Sequence, residues 1–315
     1  MILVTGGGGF IGSNLVKALN ERGKTDILVV EDTSKGNDFP NLADCEIVDC
    51  VGVSEFRRDL RSGGGRSRFD RIFHQGACTD TMELDEAYMM DNNTEFSKEL
   101  LELALRDRIP MVYASSAAVY GGGRTSTEVP ENEAPLNPYG QSKLAVDEHV
   151  RSVVGKAGNT LVGLRYYNVY GPREAQKGRM ASMVYQLYRQ LREGGVARLF
   201  EGTDGYGDGE QRRDFVFVGD VVKVNLFFSE RPAARGIFNV GTGCSRSFND
   251  IANTLIGLLG RGRIEYIPFD RSLTGKYQSF TEADLGALRE AGYDGSFSSL
   301  EVGIAESVKA WERDV

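Results

Sequence analysis

The chain is poor in the residues that staple small folds or hold metals. Its 315 residues include 4 cysteines and 2 histidines. Cys45, Cys50, Cys78 and Cys244 form no Cys-x-x-Cys pair, and His74 and His149 do not complete the ligand spacing of a structural zinc site, so no metal is expected. Unpaired thiols fit a reducing compartment, and the expected location is the cytoplasm. Two histidines and no nucleophile elbow also exclude a triad hydrolase. Proline is scarce, at 8, so this is not a Pro-rich low-complexity sequence. No apolar run approaches the ~18 residues of a spanning helix. The opening Met1-Ile2-Leu3-Val4-Thr5 has no basic stretch of a signal peptide, and no membrane partner is expected. Positive charge is short as well, 37 Lys+Arg against 45 Asp+Glu for a net charge of -8. Nucleic acid is therefore not the expected partner, because tracking phosphates takes a basic surface. A local basic pocket for one phosphorylated ligand remains open.

Glycine is plentiful, at 39 residues, a larger share than the roughly 7% of an average protein. Short, nearly continuous apolar runs (2–4, 27–30, 72–73, 111–113, 161–164) alternate with helical-length stretches such as 13–22 and 94–106. Runs of that kind belong to a parallel sheet covered on both faces, and the alternation predicts an α/β, Rossmann-like, doubly wound fold. The run Arg61 to Arg68 reads as a flexible loop. After about residue 168 the alternation loosens: a helix is expected from Met180 to Arg192, a strand at Leu199-Phe200, a mobile Gly-rich loop at 202–209, and strands at 215–218 and 237–240. The expected organisation is interleaved. Residues 1–167 plus about 214–240 form a dinucleotide-binding domain, and about 168–213 plus 241–315 a smaller substrate-binding domain.

The first candidate site is Gly6-Gly7-Gly8-Gly9-Phe10-Ile11-Gly12. A strand precedes it and a helix follows, so backbone N–H groups at the helix start can meet a pyrophosphate. Glu31 and Asp32 end the next strand, where an acid accepts hydrogen bonds from an adenosine ribose and repels a 2′-phosphate. Taken alone this pair favours NAD, although Lys35 close by could offset it. Asp49 reads either as an adenine contact or as a solvated turn residue. The second site is Tyr139 and Lys143 in Pro138-Tyr139-Gly140-Gln141-Ser142-Lys143. Four residues apart on a helix they share a face. A tyrosine, with an ordinary pKa near 10, becomes a base near neutrality only if cations favour its phenolate. Ser116 follows the strand that starts at Met111, which puts its hydroxyl at the sheet edge where ligands sit. Together these three suit hydride-transfer chemistry. Ser116 would orient a substrate oxygen, Tyr139 move its proton, and Lys143 tune Tyr139 and hold the nicotinamide ribose.

These motifs resemble the extended short-chain dehydrogenase/reductase superfamily. More narrowly, the chain is similar to the ADP-L-glycero-D-manno-heptose 6-epimerases, nearly end to end: VTGGGGFIGSNLVKAL at the start, FHQGACT at 73–79, YMMDNN at 88–93, RYYNVYGPRE at 165–174, KGRMAS at 177–182, LFEG at 199–202, RRDFVFVGDV at 212–221, and YIPF followed by GKYQSFTEADL. The resemblance implies epimerisation at the sixth carbon of an ADP-heptose through a transient ketone, a step of lipopolysaccharide core biosynthesis, with Tyr139 and Lys177 as the two acid/base groups. It implies NADP as cofactor, held by the glycine loop with Phe10 and Ile11, by Glu31, Asp32, Gln75, Gly76, Ala77, Cys78, Thr79 and Asn92, and by Lys143 and Val169. Substrate would meet Asn168, Arg179, Gln186, Phe200, Glu201, Gly202, Thr203, Arg213 and Tyr277, with the Arg213 guanidinium on the diphosphate. A homo-oligomer, a pentamer in the family, is implied as well.

Several positions depart from that pattern. Lysines the family often has at the positions of Asp38 and Val53, able to meet a 2′-phosphate, are missing. Arg179 and Gln186 stand in place of a serine and a histidine, and the Gly-rich run before Arg213 is longer. The alternatives are a nucleotide-sugar dehydratase, another epimerase or reductase of the superfamily, or a non-catalytic dinucleotide sensor. Ala117 and Ala118 argue against the first, because dehydratases carry Asp-Glu there; the intact Ser116, Tyr139 and Lys143 argue against the last.

Overall fold

A computed structural model describes residues 1–34, 36, 38–63, 69–270 and 277–313. Lys35, most of the expected 61–68 loop and the first two residues of GKYQSFTEADL lie outside the described residues. By its contacts the chain divides into two compact units. The first comprises 1–119, 137–165 and 222–238; the second comprises 120–136, 166–221 and 239–315.

The first unit is built on a seven-stranded sheet: β1 (Ile2–Thr5), β2 (Ile27–Glu31), β3 (Asp49–Gly52), β4 (Arg71–His74), β5 (Met111–Ser116), β6 (Leu161–Tyr166) and β7 (Arg235–Val240). Their spatial order is β7-β6-β5-β4-β1-β2-β3, and the pairings β1–β2, β2–β3, β1–β4 and β4–β5 are parallel. This is the expected doubly wound Rossmann-like sheet. Strand order reverses at β1, and in such sheets the crevice beyond the carboxyl ends of the strands at that point takes the ligand. Every residue of β1 is buried, which is why an apolar run with no polar alternation made it a strand. One face packs Leu3, Val30, Ile72 and Met111 against Leu100, Leu101, Val146 and Val150 of the covering helices. Each fully buried Leu or Val contributes roughly 1.5–3 kcal/mol.

The helix expected from Thr94 begins earlier. A single turn, Glu86–Met89, is capped by the Asp85 carboxylate accepting from the Tyr88 N–H at 2.9 Å, runs through a π segment, Met90–Glu95, and continues as Phe96–Arg106. Such segments recur at functional sites, and this one carries Asn92 and Asn93.

The second unit holds three two-stranded pairs: Asn168–Tyr170 with Phe215–Phe217, Val196–Phe200 with Arg263–Ile267, and Arg212–Arg213 with Arg246–Ser247. Its core gathers Tyr170, Leu187, Leu191, Leu199, Phe215, Ile251, Ile304 and Trp311. The helix expected from Met180 starts at Met183, because the Ser182 hydroxyl accepts from the Tyr185 N–H and fixes the first turn there. Residues 120–136, expected in the dinucleotide domain, group with this unit. Tyr120 Oη donates to Asn239 Oδ1 at 2.7 Å, Asn239 Nδ2 donates to the Ser126 carbonyl at 2.5 Å, and Ser126 Oγ donates to the Glu282 carbonyl at 2.6 Å. Residues 214–221 also fall here rather than with the first unit. Among the described residues no helix is long and apolar enough to cross a membrane.

Candidate active site

In the first unit the glycine run turns out of β1 into the helix Phe10–Glu21. Gly6 sits at φ +66°, and a Cβ on Gly12 would lie 2.0 Å from the Gly6 carbonyl oxygen. No side chain fits there, so loop and helix close on bare backbone. Gly9 caps the helix without a side chain, which leaves first-turn N–H groups available to an anion. Glu31 accepts from the Gly8 N–H at 2.8 Å and the Asp32 N–H at 3.1 Å; burial raises its carboxyl above the usual range, and these bonds act against it. Beside it opens a cavity of about 210 Å³ lined by Gly6, Glu31, Asp32, Val53, Gly76, Ala77, Cys78 and Asn92, among others. Gln75, Thr79, Phe10 and Ile11 are not on its wall; the Gln75 amide donates to Asn225 Oδ1 at 3.1 Å, and Phe10 is buried. A glycine cradle, a helix start capped by no side chain and two acids at one end fit a nicotinamide dinucleotide.

The catalytic candidates stand on the helix Pro138–Val154, started by Pro138 and by Asn137, whose side chain accepts from the Gly140 N–H at 2.8 Å. Tyr139 and Lys143 share one face, as their spacing predicts. Lys143 is 4% exposed and donates to the Ala114 carbonyl at 3.0 Å; burial lowers its pKa to about 8, against the pull of Asp147. The Tyr139 phenol is raised by burial and held down by its hydrogen bond with Ser116, the last residue of β5. Ser116, Tyr139 and Lys143 are therefore brought together.

Three residues missed in the sequence hold this arrangement. Asp147, one turn beyond Lys143, accepts from Tyr113 Oη, Ser115 Oγ and Arg165 Nε, each at 2.9 Å, locking the helix to β5 and β6. Its spacing from Lys143 was the available signal. Asn93 donates to the Cys78 carbonyl and to Ser142 Oγ, each at 3.0 Å, and accepts from the Cys78 N–H at 2.8 Å. It thus ties the cavity wall to the Tyr139 helix, while nothing in the sequence separates it from Asn92. His74 lies between Thr5 Oγ1 at 2.6 Å and Ser97 Oγ at 2.8 Å, and burial lowers its pKa to about 3. It is neutral near pH 7 and serves packing rather than proton transfer.

The remaining candidates belong to the second unit. Lys177 lies half-buried in the 3-10 segment Ala175–Met180; burial lowers its pKa and Glu174 opposes this. Arg179 is exposed, and Gln186 donates its amide to the Gly178 carbonyl at 2.9 Å, so it braces the Lys177 segment. Arg213, 7% exposed, places its guanidinium carbon 4.8 Å from the Tyr277 ring centroid. Burial lowers its pKa, opposed by Tyr277. A cavity of about 290 Å³ is lined by Phe200, Tyr277, Phe248, Ile267, Gln190 and Gln211, with three further residues. Glu201, Gly202 and Thr203 open the Gly-rich loop, whose ends carry specific bonds: Gly202 N–H donates to Asp208 at 2.8 Å, Gly209 N–H to the Phe200 carbonyl at 2.9 Å, and Asn249 Nδ2 to the Asp208 carbonyl at 2.8 Å. Asn168 Nδ2 donates to the Asp214 carbonyl at 3.1 Å, and Val169 is half-buried on the same strand. Among the described residues no group of three or more His, Cys, Asp or Glu could hold a metal ion.

Residues 2–241 match the model of the NAD dependent epimerase/dehydratase family. The chain belongs to this family. It is 52% identical over 310 residues to the ADP-L-glycero-D-manno-heptose-6-epimerase of Alkalilimnicola ehrlichii, covering 98% of this chain and 97% of that one. It is 49% identical over 322 residues to the protein of the same name from Thiobacillus denitrificans, covering 98% and 97%. The solved structure of the Helicobacter pylori ADP-L-glycero-D-manno-heptose-6-epimerase superposes with a TM-score of 0.83 at 35% identity, covering 98% of this chain and 95% of that one. For a member of the NAD dependent epimerase/dehydratase family the cofactor is a nicotinamide dinucleotide, which accords with the glycine cradle and its acidic neighbours.

Proposed function

We propose that the protein inverts the sixth carbon of ADP-D-glycero-D-manno-heptose to give the L-glycero epimer, in the cytoplasm, as a homo-oligomer and as a step of lipopolysaccharide core assembly. The observation that carries this is the identity of about half, over nearly the full length, to relatives of that name. The chemistry agrees. The sixth carbon neighbours no carbonyl, so its hydrogen is not acidic and direct deprotonation is excluded. A nicotinamide dinucleotide held by the glycine cradle would supply reversible hydride transfer at that carbon.

The chain's own residues do the rest. The first unit supplies the dinucleotide site: the amides after Gly6 and Gly9 would hold the pyrophosphate, and Glu31 and Asp32 the adenosine ribose. Ser116 orients the reacting hydroxyl, and Tyr139 exchanges its proton. Burial keeps the Tyr139 phenol protonated, opposed by its hydrogen bond with Ser116, and the Lys143 cation, one turn further along the same helix, would favour the phenolate. Lys177, with its pKa lowered by burial, is the second acid/base group. Arg213 grips the diphosphate, and the apolar cavity beside Phe200 and Tyr277 takes the nucleoside end of the substrate. Ala117 and Ala118 have no proton to give, which disfavours loss of water.

NAD is the proposed cofactor rather than NADP. Glu31, Asp32 and Val53 line the cavity, and no Lys or Arg does so among the described residues. Mass spectrometry of the cofactor released from purified protein is expected to return NAD, and NADP should bind at least ~10-fold more weakly, about 1.4 kcal/mol. Release of NADP would overturn this assignment. The epimerase reading itself is tested by a product assay on ADP-heptose that resolves the two epimers; binding without turnover would favour a dinucleotide sensor.

A further inference from the structure

One buried carboxylate in the second unit has no part in the chemistry above. Glu174 is 0% exposed and sits in the turn that leads into Lys177. Its Oε1 accepts from the Gly171 N–H at 2.9 Å and from Ser182 Oγ at 3.0 Å, and its Oε2 accepts from the Ser182 N–H at 2.7 Å. Gly171 and Ser182 bracket the segment that carries Lys177. One side chain thus closes both ends of that loop.

Two other features fix the loop from within. The Lys177 N–H donates to the Glu174 carbonyl at 3.0 Å. Gly178, the next residue, stands at φ 54°, ψ −121°, a conformation that L side chains rarely adopt, and its carbonyl accepts from Gln186. The backbone on both sides of Lys177 is therefore specified, and Glu174 anchors the larger part of it. Burial of a carboxylate costs several kcal/mol unless it is well bonded, so three donors on one buried acid mark a device kept for position. Burial lifts the Glu174 carboxyl to about 7, and its charge supports the protonated form of Lys177.

We infer that Glu174 is the positioning residue for Lys177, clamping Gly171 to Ser182 so that the Lys177 ammonium is presented in one place. The inference rests on the acid/base role proposed for Lys177. Displacing a reacting group by about 1 Å can cost ~10²-fold in rate. Glu174→Gln replaces one acceptor oxygen by a donor and cannot keep all three bonds.

The experiment measures kcat and KM of Glu174→Gln, Ser182→Ala and Lys177→Met on ADP-heptose, with cofactor content and thermal midpoint as checks. For Glu174→Gln kcat should fall about 10²-fold, well beyond any rise in KM, because Arg213 and Tyr277 lie outside the clamp and, of the substrate contacts named, Arg179 lies within it. Ser182→Ala, which removes the hydroxyl's bond to Glu174 together with its cap on the Tyr185 N–H and leaves the Ser182 N–H in place, should show the same kcat-only pattern at about 10-fold. If Glu174→Gln does not fold, Ser182→Ala decides. A kcat within threefold of wild type in a folded variant would overturn the clamp, as would a KM change that accounts for the whole loss. If Lys177→Met itself turns over near-normally, the acid/base role fails, and that outcome is separate from the first two.

Discussion

Lys177→Met is expected to stop epimerisation, with kcat lowered by about 10³-fold or more, while the bound dinucleotide content stays that of the wild type. General acid/base groups contribute ~10²–10⁴-fold, and inversion at one carbon needs a proton carrier for each face of the ketone. Tyr139 can serve only one of them. Lys177 suits the second role because burial lowers its pKa from the ordinary lysine value, moving it toward the range where an amine both gives and takes a proton. Methionine keeps the length and apolar character of the stem, so packing against the loop survives and the loss reports the amine. The check is steady-state turnover together with the mass and amount of cofactor released on denaturation. Near-normal turnover would remove Lys177 from the mechanism and leave it as a loop cation.

Tyr139→Phe should be as severe, again about 10³-fold in kcat, with KM little changed. The substitution removes one oxygen and leaves the ring on its helix face. It also frees Ser116 from the hydrogen bond that now holds the phenol down. Lys143 keeps its donation to the Ala114 carbonyl, so the helix remains locked by Asp147, Tyr113, Ser115 and Arg165. Stability should fall by no more than about 1 kcal/mol, the worth of one net hydrogen bond. Thermal unfolding beside steady-state kinetics tests both statements. A large loss of stability would mean that the phenol is structural.

The two variants probe different units of the chain, and so they also show how unevenly the site could be read. The Tyr139–Lys143 pair was legible because helix spacing is a local property, and a four-residue step puts both side chains on one face. The glycine run was legible for a similar reason: Gly6 and Gly12 meet through backbone that is close in sequence. Asn93 was not, since its partners at Cys78 and Ser142 are brought to it by the packing of elements far apart in the chain. Gln186 carries a bond that motif position does not announce: its amide donates to the Gly178 carbonyl. The parallel sheet followed directly from apolar runs buried on both faces. The second unit was harder because its two- to five-residue strands carry too little pattern, and because residues 120–136 join it through bonds to Asn239 and Glu282 that no local composition announces.

The loop at 202–209 makes the same point from the other direction. Its glycines announced a turn, while the bonds of Asp208 and Asn249 that close it were not legible in the composition. Glycine there permits a conformation, and the bonds select it.

Transient oxidation of the sugar is tested most directly by running the epimerisation in D2O and following the hydrogen on the sixth carbon by NMR. Retention of protium at that carbon throughout conversion is the expected result, since the hydrogen never becomes a proton that water can replace. Deuterium appearing there at a rate comparable with turnover would contradict the proposed chemistry and point to deprotonation at carbon instead.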